Sequence, residues 1–333
     1  MAALAATIGC SGGDDAGGAD GGADDDASAA TEPAPTDPPY AVGRHDLVLV
    51  DPTRGTPAVP ERELEAADSR TIEVIVTYPA AGDPGPEPPL PDGWDDAGFD
   101  DDERTATVDA AAIAGPLPLV VFAHGWNGQG SSFLALAERW SRAGYVVALP
   151  TFPRSRNGIG FSADFPEQPA DLSFVVDELI AAEAPLAGLV DGERLVLGGH
   201  SLGSATVFRA AYNSCCVDPR IDATIAVSGG PQDIGEGGYD DQPETPMLLV
   251  HGVADPGVLV GVSDSMVAFV AGPVTYLRLD EADHVSMFVG VDGELFDEAV
   301  LAFLDAELRD DPAALDSLGD TVAASGRGEL RSG

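Results

Sequence analysis

The sequence predicts an α/β protein built on a mostly parallel sheet of about eight strands flanked by helices. Two observations carry that prediction. From about residue 117, short apolar runs alternate with segments whose apolar residues recur at helical spacing. The runs are also continuous, as in LPLVVFA (117–123), which suits strands covered on both faces. Such alternation builds right-handed β-α-β units.

Before this region, DLVLVD (46–51) and TIEVIVTYP (71–79) read as an opening antiparallel pair. The Pro-, Gly- and Asp-rich stretch from Gly82 to Asp102 reads as a solvated acidic loop. Within it DGWDDAGFDDDE lacks the alternating carboxylates and distal Glu of a calcium loop. After LPLVVFA, residues 131–143 place Phe133, Leu134, Leu136, Ala137 and Trp140 on one helical face, and Gly144 stops them. YVVALP (145–150) is the next strand. DLSFVVDELIAAEA then sets Leu172, Val175, Val176, Leu179 and Ile180 on one face of a helix. RLVLGG (194–199) is the fifth strand, with Ser201 to Tyr212 as its helix. IDATIAVSG, PMLLVHG and VTYLRL supply three more strands, and ELFDEAVLAFLDAEL (294–308) a closing amphipathic helix.

Residues 11–39 hold no large apolar side chain and cannot bury enough surface to offset the entropy of ordering. They read as an acidic Gly/Asp/Ala/Pro linker. Residues 40–309 form one domain, and 310–333 a loosely packed tail. The chain carries 16 basic residues, all Arg, against 57 acidic ones, for a net charge of −41. Such a surface repels nucleic acid and anionic membranes. It equally serves solubility alone. No apolar run is long enough to span a bilayer.

The first residues, MAALAATIGCSGGDD, resemble the end of a bacterial lipoprotein signal. Residues 1–10 would be its remnant, and Cys10 the site of a lipid tether. That likeness implies export; the alternative is an unprocessed N-terminus on a cytoplasmic protein. Cys215 and Cys216 are adjacent and lack the spacing of a zinc site. They read as buried small apolar residues, or as a vicinal disulfide in an oxidising compartment.

GHSLG (199–203) fits G-x-S-x-G at a strand-to-helix junction, so Ser201 is a candidate nucleophile. A serine hydroxyl needs a base, an acid to orient the base, and donors for the oxyanion. The chain has five histidines. His45 precedes the first strand, and His124 and His251 end strands in His-Gly pairs that support loop geometry. His200 adjoins Ser201 and cannot fold back onto it. His284 remains, in DEADHVSMF beyond a strand's C-terminal end, where a parallel sheet gathers its chemistry. Asp255 in LLVHGVADPGV follows another strand and completes the order Ser, Asp, His; Asp233 in SGGPQDI is the rival acid. The backbone N–H groups of Leu202 and of Trp126 in FAHGWNG are the expected oxyanion donors.

Taken together, VVFAHGWNGQGSSF, QPADLSFVVDELI, GHSLGSATV, DPRIDATIAVSG, HGVADPGV and ADHVSMF resemble an α/β-hydrolase. The nearest branch is that of dienelactone-hydrolase-like and chlorophyllase-like esterases, close to cutinases and polyester hydrolases. Dienelactone hydrolases carry Cys at the nucleophile, and here the residue is Ser201. The likeness implies an α/β-hydrolase fold over roughly residues 45–305 and ester hydrolysis by Ser201, Asp255 and His284 without metal or cofactor.

The roughly twenty residues between Val227 and Met247 leave no room for a helical cap domain, so the cleft should be open. Trp126, Phe152 and Phe161 are the expected substrate-contacting side chains; Phe165 shares their loop. The expected partner is a small or polymeric ester, not nucleic acid, and the expected state is a monomer. The same triad would equally serve an amidase, a thioesterase or a cofactor-free perhydrolase. A tethered binding module without catalysis is the remaining alternative.

Overall fold

Leu119, Val121 and Ala123 face one side of their strand, Val120 and Phe122 the other, and all five are fully buried. That is the consequence of an unbroken apolar run with side chains of period two, and it places the strand at a sheet's centre. The computed structural model describes residues 37–94, 105–183, 186–232 and 234–333. Cys10, the linker up to residue 36 and Asp233 lie outside the described residues.

The strands are β1 (Ala41–Asp51), β2 (Arg70–Ala80), β3 (Thr107–Val108), β4 (Leu117–Ala123), β5 (Val146–Thr151), β6 (Val190–His200), β7 (Ile221–Val227), β8 (Met247–Gly252), β9 (Val274–Leu279) and β10 (Gly328–Ser332). They form one sheet in the order β10-β9-β8-β7-β6-β4-β5-β2-β1-β3. From β9 to β5 neighbouring strands run parallel, whereas β2 meets both β5 and β1 antiparallel and β10 meets β9 antiparallel.

The helices are α1 (Leu134–Arg142), α2 (Gln168–Ile180), α3 (Leu202–Tyr212), α4 (Gly261–Met266), α5 (Gly290–Leu308) and α6 (Ala313–Ser325). Leu172, Val175 and Val176 of α2 join Val207 and Phe208 of α3 on one face of the sheet. Trp140 of α1, Phe296 and Val300 of α5, and Leu318 and Val322 of α6 cover the other. Between β7 and β8 the described residues form no helix.

The sheet has ten strands rather than about eight, and RLVLGG lies in the sixth. Both additions, β3 and β10, are too short or too polar to show a pattern. Residues 310–333 are not a loose tail. Leu318 and Val322 are buried, and Gly328 to Ser332 pair with Leu279 to Thr275. The stretch from Gly82 is only partly a solvated loop, because Leu90 and Trp94 pack against the core. Arg139 of α1 holds it through the Pro88 carbonyl at 3.1 Å.

Cys215 and Cys216 are not buried thiols: they form a vicinal disulfide in the turn after α3, with Cys215 exposed. At the start of β2, Arg70 is fully buried and reaches Asp164 (2.8 Å) and Asp171 (2.6 Å), both fully buried as well. This cluster ties β2 to the start of α2 and to the loop that leaves β5.

Candidate active site

β4 and β6 are neighbours, and the chain leaves them for α1 on one face and α3 on the other, so their C-terminal ends flank a crevice. Ser201 sits where β6 turns into α3. Its backbone has φ 55 and ψ −116, a conformation that costs a non-glycine residue on the order of 1–3 kcal/mol. The turn is held by the Ser201 N–H on Val227 O (2.8 Å) and by tight packing around it. A Cβ at Gly203 would lie 2.2 Å from the Ala123 carbonyl oxygen, and one at Gly199 would lie 2.4 Å from Gly203. The two glycines of G-x-S-x-G are therefore required by close approach of helix to strand. The partial positive charge of the α3 N-terminus falls beside Ser201.

His284 lies in the loop after β9. Asp283 accepts the backbone N–H groups of Val285 (3.0 Å) and Ser286 (2.8 Å), closing that loop, and His200 Nε2 donates to the His284 carbonyl at 2.8 Å. The His284 ring meets Asp255 through Nδ1 and Oδ2 at 2.7 Å. Asp255, 4 % exposed, follows β8 and takes the N–H groups of Gly257 (2.7 Å) and Val258 (2.9 Å) on Oδ1. Burial would raise the Asp255 pKa, but the His284 and backbone hydrogen bonds outweigh it and hold the carboxyl below its ordinary value. The acid is thus an anion, and it faces the imidazole with its Nδ1–H. That leaves Nε2 of His284 as the basic nitrogen.

The turn after β4 is equally constrained. His124 Nδ1 donates to Gly125 O (2.7 Å), and the Gly128 N–H donates to the same oxygen (3.1 Å). The N–H of Trp126 is the amide of that peptide and points opposite to its carbonyl. The turn's own bond does not use it. The Gly125 backbone lies beside Ser201, with a Cβ there 3.1 Å from the Ser201 Cβ. Leu202, as the first residue of α3, also has an N–H without an intrahelical partner.

Ser201, His284, Trp126, Gly125 and His200 line one cleft of about 310 Å³, whose apolar walls are Trp94 and Phe133. Trp126 is 58 % exposed and its Nε1 donates to Gly160 O at 2.8 Å, so the indole is fixed at the rim by the loop after β5. Two expected contacts fall elsewhere. Phe152 is fully buried, its ring 5.0 Å from that of His124 and its N–H on His124 Nε2 at 3.0 Å. It supports the turn from behind. Phe161 is half-buried and lies outside the cleft lining.

Trp94 was not foreseen. Its ring packs 5.3 Å from both Phe133 and Phe288, yet in sequence it lies in a Pro/Gly/Asp stretch with no periodicity. His45, on β1, pairs with Asp109 and does not line the cleft. Burial pushes His124 down to about 4 and His200 to about 3, so both are neutral. Among the described residues no cluster of His, Cys, Asp and Glu has the makings of a metal site.

Residues 120–328 match the alpha/beta hydrolase family. No protein of curated function matches the chain in sequence. Among solved structures, the ferulic acid esterase from Streptomyces cinnamoneus is similar at 21 % identity and a TM-score of 0.60, over 84 % of this chain and 92 % of that one. At that identity the likeness concerns the fold.

Proposed function

The chain belongs to the alpha/beta hydrolase family and has its fold, and from that premise we propose that it is a serine esterase. The observation that carries the reading is the Asp255–His284 pair at 2.7 Å, whose imidazole lines one cleft with a serine held at positive φ. Ser201 Oγ forms a bond to the ester carbonyl carbon while His284 Nε2 takes its proton. The N–H groups of Trp126 and Leu202 receive the resulting oxyanion. The tetrahedral intermediate collapses, the bond to the alcohol oxygen breaks, and the imidazolium returns the proton to that oxygen. Water then attacks the acyl-enzyme by the same steps and frees Ser201. These steps need only the chain and water.

The cleft is at the small end of ligand sites, and Trp94, Phe133 and Trp126 give it flat aromatic walls. Such walls favour a compact planar or short acyl group, and the open mouth leaves room for a bulky alcohol portion. This is the arrangement expected of an esterase near the chlorophyllase-like and cutinase-like branches. The acidic surface adds no affinity for nucleic acid, and export with a tether at Cys10 remains part of the proposal, tested by mass spectrometry of the mature N-terminus. Activity is tested with p-nitrophenyl butyrate. Ser201→Ala should lose on the order of 10⁶ in kcat. Turnover retained by that variant refutes the reading.

A further inference from the structure

His251, the penultimate residue of β8, has a fully buried ring whose three polar contacts leave it one arrangement. Nε2 lies 2.8 Å from Val258 O and 3.3 Å from Asp255 Oδ2, and Nδ1 lies 2.6 Å from the buried Ser263 Oγ. A carbonyl and a carboxylate only accept, so Nε2 carries the proton. Nδ1 then accepts from the Ser263 hydroxyl. The oxygen on which Nε2–H converges is the same Oδ2 that His284 uses. Asp255 thus accepts two backbone amides on Oδ1 and the His284 imidazole on Oδ2, with His251 Nε2 3.3 Å from that same Oδ2.

Resting on the triad reading above, we propose that His251 is a positioning residue for Asp255. Its Nε2–H, shared between Val258 O and Asp255 Oδ2, fixes the carboxylate plane so that Oδ2 presents its free lone pair to His284. Ser263 in α4 sets the tautomer. His251 touches no substrate, since it lies behind Asp255 and outside the cleft lining. The ionisable groups around it are Asp255, His284 and His200, with Arg278, its register partner on β9, engaged by Asp264 and Glu329. Burial lowers the pKa of His251, so the ring stays neutral and donates without adding a charge.

Removing the N–H would free one lone pair of Oδ2, raise the basicity of the carboxylate toward His284 and loosen its orientation. The imidazolium form of His284 would then gain stability, and activity would begin to fall at higher pH. The test is kcat, KM and the pH profile of kcat/KM for His251→Phe, His251→Gln and Ser263→Ala, beside fluorophosphonate labelling of the wild type. In His251→Phe, kcat falls about tenfold, the cost typical of losing such an outer partner. KM stays within about twofold and the acid limb moves upward. His251→Gln, which presents an amide N–H, recovers most of kcat; Ser263→Ala moves the acid limb in the same direction by less. An unmoved acid limb and undiminished kcat in His251→Phe overturn the inference. If that variant does not fold, an unmoved profile in Ser263→Ala does so instead. A wild type that neither turns over ester nor labels at Ser201 removes the triad reading itself, which is a separate outcome.

Discussion

Asp255 Oδ2 lies 2.7 Å from His284 Nδ1, and Oδ1 of the same carboxylate accepts the backbone N–H groups of Gly257 and Val258. The acid has no freedom to turn away, so the His284 tautomer is set by the fold. Asp255→Asn keeps the shape but presents the wrong hydrogen-bonding group. Its kcat should fall about 10⁴-fold with little change in KM. Steady-state kinetics on p-nitrophenyl butyrate measure this, and a loss under tenfold would show that Asp255 does not orient the base.

Trp94 closes one wall of the cleft by packing on Phe133 and Phe288. If that wall holds the acyl group, Trp94→Ala removes aromatic contact worth about 1 kcal/mol beyond its buried area. The kcat/KM for ethyl cinnamate should then drop about tenfold, and that for ethyl acetate less than about threefold. Equal losses on both esters would assign Trp94 to the core alone.

His124 and His200 are held neutral by burial, at about 4 and about 3, below the value of about 6.5 in an unfolded chain. The unfolded chain therefore binds protons that the folded chain refuses. Stability is fully present above about pH 6.5 and is lost as pH falls toward the folded values, by about 1.4 kcal/mol per unit for each histidine. Urea unfolding at pH 7 and pH 5 should show a difference smaller by about 2 kcal/mol in His124→Asn than in the wild type. The same difference in both proteins would contradict the assignment.

Arg70 neutralises two carboxylates, Asp164 and Asp171, that have no access to water. Arg70→Ala leaves them buried with Arg54 on Asp171 as the remaining cation. The expected cost is about 3–5 kcal/mol of unfolding free energy, read from urea denaturation. A change below about 1 kcal/mol would mean that water enters the cluster.

Much of this was legible in the chain because the strongest signals are local. The run from Leu119 to Phe122 can only be a strand buried on both faces, and the glycines flanking Ser201 are demanded by approach distances that the motif encodes. Chain order and elimination among five histidines single out His284 and Asp255, and the structure brings these two side chains to 2.7 Å of each other. What failed depends on packing between distant segments. Phe152 looks the same in sequence whether it faces a cleft or, as here, the back of His124. Trp94 has no neighbours in sequence that share its role. The segment from Ala313 to Ser332 is polar enough to read as a tail, although Leu318 and Val322 suffice to dock α6 and deliver β10 to the sheet edge. The second histidine on Asp255 was visible only as a His-Gly pair, with no indication of which way its ring turns.

The most direct measurement is covalent. The protein is incubated with a fluorophosphonate probe, digested, and the adduct located by peptide mass spectrometry. The account predicts one adduct, on Ser201, that is absent in Ser201→Ala and formed far more slowly in Asp255→Asn. Failure of the folded wild type to label, or an adduct on another residue that accompanies full esterase activity, would contradict it.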